Sequence, residues 1–437
     1  MGQSCTISAN QTLPDFIDIN QIPGDKSVSH RSIILSSLSE SSVQVNGFLC
    51  SEDCLHTVNI FQAMGVPIDV NHAEQVVTVS GVGLHGLQAP NQRLDVGNSG
   101  TGIRLIAGVL AGQSFDTCIT GDASIQRRPM NRILTPLSLM GAIIDGDHAP
   151  LTIRGGQSLS GIRYRLPVAS AQVKSCILLA GLYADGQTEV IEPEPCRDHT
   201  ERMLTLFGVP IHKEGHSIVV QPPGSLQAQS SEIWVPADVS SAAFFIVLAL
   251  LKGKEWRFGH VGLNPTRRQI IDVLLSMGGM ITLNPHSGSY EPMGDISVQR
   301  STLSSTSVPS EWIPFIIDEI PILAIAALFS DRPFELRGIE ELRVKESDRI
   351  ATIVQLVEAM GGRITEFPDG FCIYPMHQYR DFSFDCHSDH RLAMSAIIGA
   401  LAANVSCDII GYDSIYTSFP NFFSILEQLG VTIQFNG

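Results

Sequence analysis

A polar, anion-friendly start followed by an almost wholly apolar helix recurs six times along the chain, and this repetition restricts the fold more than any other property of the sequence. The first copy runs from Pro23 through Gly24, Asp25, Lys26, Ser27, Val28, Ser29, His30 and Arg31 into an apolar segment ending near Ser37. Lys26 and Arg31 bracket two serines where the apolar run begins. A helix opening there presents unbonded backbone N–H groups, hydroxyls and two cations together, which is a seat for phosphate or carboxylate. Asp or Ser in such a place is also an ordinary N-cap, so a single copy would carry little weight. His30 reads as a packing or capping residue.

The later copies are Gly97-Asn98-Ser99-Gly100-Thr101-Gly102, Ala169-Ser170-Ala171-Gln172, Asp238-Val239-Ser240-Ser241, Asp318-Glu319 and Asp389-His390-Arg391. Each is followed by a second helix that ends in glycine: 54–64 at Gly65, 130–140 at Gly141, 198–207 at Gly208, and then helices ending at Gly278, Gly361 and Gly430. Alternating segments such as 42–49, 66–70 and 75–79 read as strands. The spacing of roughly 70 to 80 residues suits a small α/β unit and is too long for a common solenoid repeat. Two lobes of three units follow, 25–236 for the first and 1–24 plus 237–437 for the second. The boundary lies near Pro236, after a strand over 233–235, and a strand over 13–22 leads into the first unit while crossing back to the second lobe.

The first helix of each unit has little polar face and should be buried. Parallel buried helices gather their N-termini at one end, where summed dipoles attract anions. That matters because the formal net charge is −16, which argues against nucleic acid or an anionic membrane as partner. Anions must therefore be held by local focusing. The nine cysteines are scattered and sit mostly in apolar surroundings such as 174–178, as buried reduced thiols of a cytoplasmic protein do. Cys118 reads as core. No secretory leader is expected, the run 242–251 is about half of what crosses a bilayer, and the match of Met1, Gly2 and Thr6 to a myristoylation pattern reads as chance.

Arginines stand beside several helix starts: Arg128 in the 121–129 loop, Arg197 before Asp198, and Arg391 at the last start. Arginine forks suit carboxylate and phosphate. The densest cluster is Leu342-Arg343-Val344-Lys345-Glu346-Ser347-Asp348-Arg349-Ile350. Its bland reading is a helix start with surface ion pairs; the functional one is a Lys345–Glu346 pair that exchanges protons beside an anion site.

Taken in order, Gly24-Asp25-Lys26-Ser27, Gly97-Asn98-Ser99-Gly100-Thr101, Arg128-Pro129, Ser170-Ala171-Gln172, Arg197-Asp198-His199-Thr200, Asp318-Glu319, Lys345-Glu346-Ser347-Asp348-Arg349 and Asp389-His390-Arg391 closely resemble the enolpyruvyl transferases over nearly the whole chain, in the branch acting on shikimate-3-phosphate. The resemblance implies an α/β, two-lobed fold. Each lobe would hold three βαβαββ units with buried parallel helices in an inside-out barrel, closing around two anionic substrates. It implies transfer of the enolpyruvyl group of phosphoenolpyruvate to the 5-hydroxyl of shikimate-3-phosphate with release of phosphate, in the shikimate pathway of aromatic amino-acid biosynthesis, by a cytoplasmic monomer without cofactor or metal. Lys26, Ser27, Arg31, Ser170, Ala171, Gln172, Arg197, Asp318 and Lys345 would meet shikimate-3-phosphate. Lys26, Gly100, Arg128, Gln172, Arg349 and Arg391 would meet phosphoenolpyruvate. Asp318 would take the hydroxyl proton, and Glu346 with Lys26 would move the proton at the methyl carbon.

The chain departs from part of that family at 416–420, where no lysine precedes Phe419-Pro420. It also has Gly100 where the divergent branch often has alanine, so glyphosate, a mimic of phosphoenolpyruvate, is expected to inhibit. The sister transferase acting on UDP-N-acetylglucosamine uses a loop cysteine at the position of Ala123. Two other classes remain: a metal-dependent hydrolase built on Asp385, Cys386, His387, Asp389 and His390, and a non-catalytic scaffold, which has no need for cations at helix starts.

Overall fold

Each of the six polar starts opens a helix in the computed structural model, which describes residues 3–287 and 290–436. Met1 and Gly2 of the myristoylation pattern lie outside the described residues. The helices are Lys26–Leu38, Gly100–Leu110, Ala171–Gly181, Val239–Lys252, Ile320–Leu328 and His390–Ala403. Lacking a polar face, they are buried along most of their length, and Ile320–Leu328 is buried at every residue. The partner helices are Glu52–Ala63, Asn131–Leu139, His199–Leu206, Gln269–Ser276, Arg349–Ala359 and Phe422–Gln428. The recurring terminal glycine has a conformational cause: Gly65 at φ +86° and Gly361 at φ +93° take the left-handed conformation that closes a helix and that side chains resist.

The described chain divides into two compact units, Gly24–Val235 and the remainder. In the first, three four-stranded sheets share one plan. A strand pairs in parallel with the strand that follows a buried helix, and a hairpin completes the other side. Glu232–Trp234 runs parallel to Ser42–Asn46, Leu94–Asp95 to Thr117–Thr120, and Arg163–Arg165 to Thr188–Ile191. Close helix approach helps: a Cβ on Gly108 would lie 2.3 Å from the carbonyl oxygen of Cys176 on the next buried helix.

The second unit repeats the plan with two differences from the expected units. The strand expected over 13–22 is Phe16–Ile19, parallel to Glu255–Gly262. The N-terminal strand Ser4–Ile7, which sequence patterning did not reveal, fits antiparallel between Cys407–Ile410 and Ile433–Asn436. The N-terminus thus completes two sheets of this unit. The fifth sheet has three antiparallel strands, Phe334–Leu336, Gly370–Tyr374 and Arg363–Phe367. The Ser-rich 301–309 segment forms no parallel edge strand, and Ser305 donates to the Pro333 carbonyl at 2.6 Å.

Cys118 departs from the core reading. In Thr117–Thr120 it occupies a half-buried position while Thr117 and Ile119 turn inward, because strand side chains alternate faces. The other cysteines are buried apart from half-buried Cys50, and all nine are free thiols. No helix among the described residues is long and apolar enough to cross a membrane.

Candidate active site

Hydrogen bonds between helix starts show that the N-termini gather within each unit. In Gly24–Val235, Asp25 caps the Lys26–Leu38 helix through the Val28 N–H at 2.9 Å, and Ser99 caps the next through Gly102 at 3.0 Å. Ser99 also meets Nε2 of His30 at 3.1 Å, while His30 Nδ1 meets Thr57 at 2.7 Å. Burial, together with Lys26 and Arg31 nearby, pushes the His30 pKa well below its ordinary value. A neutral imidazole therefore joins two helices, in keeping with a packing role.

Several anion-binding candidates of this unit are held by hydrogen bonds at or between these helix starts. Lys26 pairs with buried Asp53. Arg31 is buried and donates to Thr200 at 2.6 Å, Ser175 at 2.8 Å and the Ser27 carbonyl at 2.9 Å. Ser170 caps Val173, and Ala171 begins that helix, its carbonyl accepting from Ser175 at 2.6 Å. Gln172 donates to Thr101 at 3.0 Å and accepts from Arg104 at 2.9 Å, and Arg104 also reaches the Gly100 carbonyl at 2.9 Å. Arg128 donates to Asn98 and Ser124 at 3.2 and 3.3 Å. Arg104 was missed by sequence reasoning; its signal was a cation one turn inside an apolar helix.

Lys174 was missed as well, since it sits in a segment that reads as apolar. Its side chain is fully buried between Glu192 at 2.8 Å and Glu201 at 2.6 Å, and it donates to the Cys196 carbonyl at 3.3 Å. Burial opposes its charge, but Glu201, Cys196 and Glu192 outweigh that and raise its pKa. Glu192 also accepts from the Cys196 thiol at 2.7 Å, and burial pushes that thiol up to about 12. This cluster fixes the segment carrying half-buried Arg197 and Asp198, the latter bound by Arg202 at 2.9 Å.

In the other unit, the Asp318 carboxylate lies 3.5 Å from Lys345 Nζ and 3.6 Å from Arg349 Nη1. Arg349 is almost fully buried and also holds Asp389 at 2.8 Å and Glu346 at 2.6 Å. Burial opposes its charge, yet Asp389, Glu346 and Asp318 together raise its pKa above the ordinary arginine value. Lys345 thus faces Asp318, while Glu346 faces Arg349. Lys345 stands in extended backbone just before the Arg349–Ala359 helix begins.

Arg391 donates to the Asp318 carbonyl at 2.9 Å and stands 3.7 Å from Glu319. Buried Glu319 accepts from Ser240 and faces Arg267 at 3.7 Å, and Arg267 reaches Asp238, the cap of Val239–Lys252, at 3.2 Å. The starts of three buried helices are thereby tied together. The 385–390 residues weighed as metal ligands do not converge: Asp389 caps its helix and binds Arg349, while buried Cys386 donates to the Gly411 carbonyl at 3.1 Å. At the departure before Phe419, Thr417 donates to the Ser414 carbonyl at 2.7 Å.

Gathered cations at helix N-termini in both units suit ligands with several negative charges. Residues 18–426 match the family model for EPSP synthase (3-phosphoshikimate 1-carboxyvinyltransferase). The 3-phosphoshikimate 1-carboxyvinyltransferase of Alkalilimnicola ehrlichii is 48% identical over 418 residues, covering 94% of this chain and 93% of that one. That of Methylococcus capsulatus is 48% identical over 419 residues, covering 95% of each. The structure of EPSP synthase from Acinetobacter baumannii superposes with a TM-score of 0.88 at 42% identity over all of both chains. The enolpyruvyl transferase NikO of Streptomyces tendae, at 15% identity and a TM-score of 0.75 over 100% of this chain and 99% of that one, shares the fold.

Proposed function

We infer the roles of the individual residues from one premise: the chain belongs to the EPSP synthase family, the 3-phosphoshikimate 1-carboxyvinyltransferases. It has the two-lobed enolpyruvyl transferase fold and transfers the enolpyruvyl group of phosphoenolpyruvate to the 5-hydroxyl of shikimate-3-phosphate, releasing phosphate, in aromatic biosynthesis. Lys26, Ser27, Arg31, Ser170, Ala171, Gln172, Arg197, Asp318 and Lys345 bind shikimate-3-phosphate. Phosphoenolpyruvate takes Lys26, Gly100, Arg128, Gln172, Arg349 and Arg391, whose cations offset charge on the departing phosphate.

Asp318 carries the mechanism. An aspartate carboxylate is an acceptor at neutral pH, and this one is held by Lys345 and Arg349 at the start of a buried helix. It takes the 5-hydroxyl proton as that oxygen attacks C2 of phosphoenolpyruvate, while C3 gains a proton. The tetrahedral adduct then loses a C3 proton and expels phosphate, restoring the double bond. Glu346, oriented by Arg349 at 2.6 Å, and Lys26 deliver and remove the C3 proton.

The same reading makes the protein a cytoplasmic monomer whose thiols stay reduced, with no nucleic-acid or membrane partner. Calorimetry with shikimate-3-phosphate, followed by phosphate release on adding phosphoenolpyruvate, tests the assignment: saturable binding and release dependent on both substrates support it, and release from phosphoenolpyruvate alone contradicts it.

A further inference from the structure

Away from the helix starts, the ligand atoms of His260, His286 and Asp295 lie within 4.8 Å of one another. Three strands bring them together. Glu255–Gly262 pairs with Met293–Gln299 from Glu255 opposite Gln299 to Phe258 opposite Ile296, slips, and resumes with Val261 opposite Gly294. His260 occupies that bulge at φ +55°, a left-handed conformation that histidine adopts more readily than most residues. A bulge re-aims a side chain. Here the His260 backbone N–H donates to Asp295 Oδ1 at 3.0 Å, orienting the carboxylate. The other oxygen, Oδ2, lies 3.2 Å from Nε2 of His286, which follows the strand Met280–Pro285. The two imidazoles meet edge to face with centroids 5.2 Å apart.

We propose that His260, His286 and Asp295 bind a divalent transition-metal ion of the Zn2+, Ni2+ or Co2+ class, with water completing its coordination. Two imidazoles and one carboxylate form a donor set suited to these ions and poorly suited to Mg2+ or Ca2+, which favour oxygen. Ligand bonds of about 2.0–2.2 Å place N and O donors roughly 3.3 Å apart around a tetrahedral ion. The two exposed imidazoles reach that spacing by side-chain rotation, around a carboxylate already oriented by backbone. The ion has a structural effect. The His260 carbonyl accepts from Ala237 N–H at 2.9 Å, and the Gly262 N–H donates to the Ala237 carbonyl at 2.8 Å. Fixing the bulge therefore fixes Ala237, the residue before the Asp238 cap.

The test is a Co2+ titration of tag-free protein in buffer free of thiols and chelators, followed by absorption. His260→Gly removes one ligand while suiting the left-handed backbone, and His286→Ala removes another from an exposed position. The expected result is one equivalent of Co2+ with d–d bands and no thiolate charge-transfer band. Binding should weaken by at least about tenfold in each variant, as loss of a metal-site residue typically does. Absence of binding at about 1 mM Co2+, a cation that imidazole and carboxylate donors suit, would overturn the site. So would a thiolate band, or unchanged binding in the doubly substituted protein.

Discussion

A Cβ atom on Gly100 would lie 2.7 Å from Nη1 of Arg128 and 3.0 Å from Nη1 of Arg104. Both are ends of flexible side chains, so alanine at 100 fits only if the guanidiniums move. Gly100 begins a helix, where alanine is the better helix former, so folding does not suffer.

Gly100→Ala should therefore leave the melting temperature unchanged or higher while raising KM for phosphoenolpyruvate and weakening glyphosate inhibition. About tenfold is the scale expected when a pocket must absorb one carbon. Steady-state kinetics at saturating shikimate-3-phosphate measure both constants. Glyphosate inhibition no tighter with Gly100 than with alanine would contradict the account.

Lys174 tests the buried support beneath Arg197. Lys174→Met removes the cation and leaves Glu192 and Glu201 buried without it, and loss of one partner from such a group costs about 3–5 kcal/mol. Chemical denaturation should show a loss of that size. Adding Glu192→Gln and Glu201→Gln should restore part of it, since the stranded charges are then gone. A single variant as stable as the parent would refute the arrangement.

His30 sets an acid dependence whose sign follows from its burial. Its folded pKa is depressed, so below the ordinary value of about 6.5 the unfolded chain binds a proton that the folded chain excludes. Stability is then unaffected above that pH and falls as pH drops below it. Melting temperatures measured at intervals between about pH 5 and 7 should fall more steeply in the parent than in His30→Gln, whose amide reaches for the same neighbours without titrating. Parallel slopes would exclude this contribution.

The six helix starts were legible because a polar cap followed by an apolar run is local information, and the closing glycines marked where partner helices stop. Non-local pairing was not legible. Ser4–Ile7 is a four-residue strand whose partners lie about four hundred positions away, as in Ser4 opposite Ile410. Lys174 hid inside a hydrophobic stretch because its counter-ions come from the strand end and helix that follow. Glu346 pairs with Arg349, three residues on, at the start of the helix that follows extended Lys345. Arg104, Lys174 and Arg267, which bond to or support residues named from sequence, are revealed only by the fold.

The central claim is that Asp318 and Glu346 move protons, Asp318 being only one among many contacts to shikimate-3-phosphate. The most direct measurement compares shikimate-3-phosphate affinity by calorimetry with single-turnover phosphate release in Asp318→Ala and Glu346→Gln. The account predicts affinity within about tenfold of the parent and release slowed by about 10²–10⁴-fold, the range of a lost general acid or base. Release at near-parental rates in both variants would contradict it.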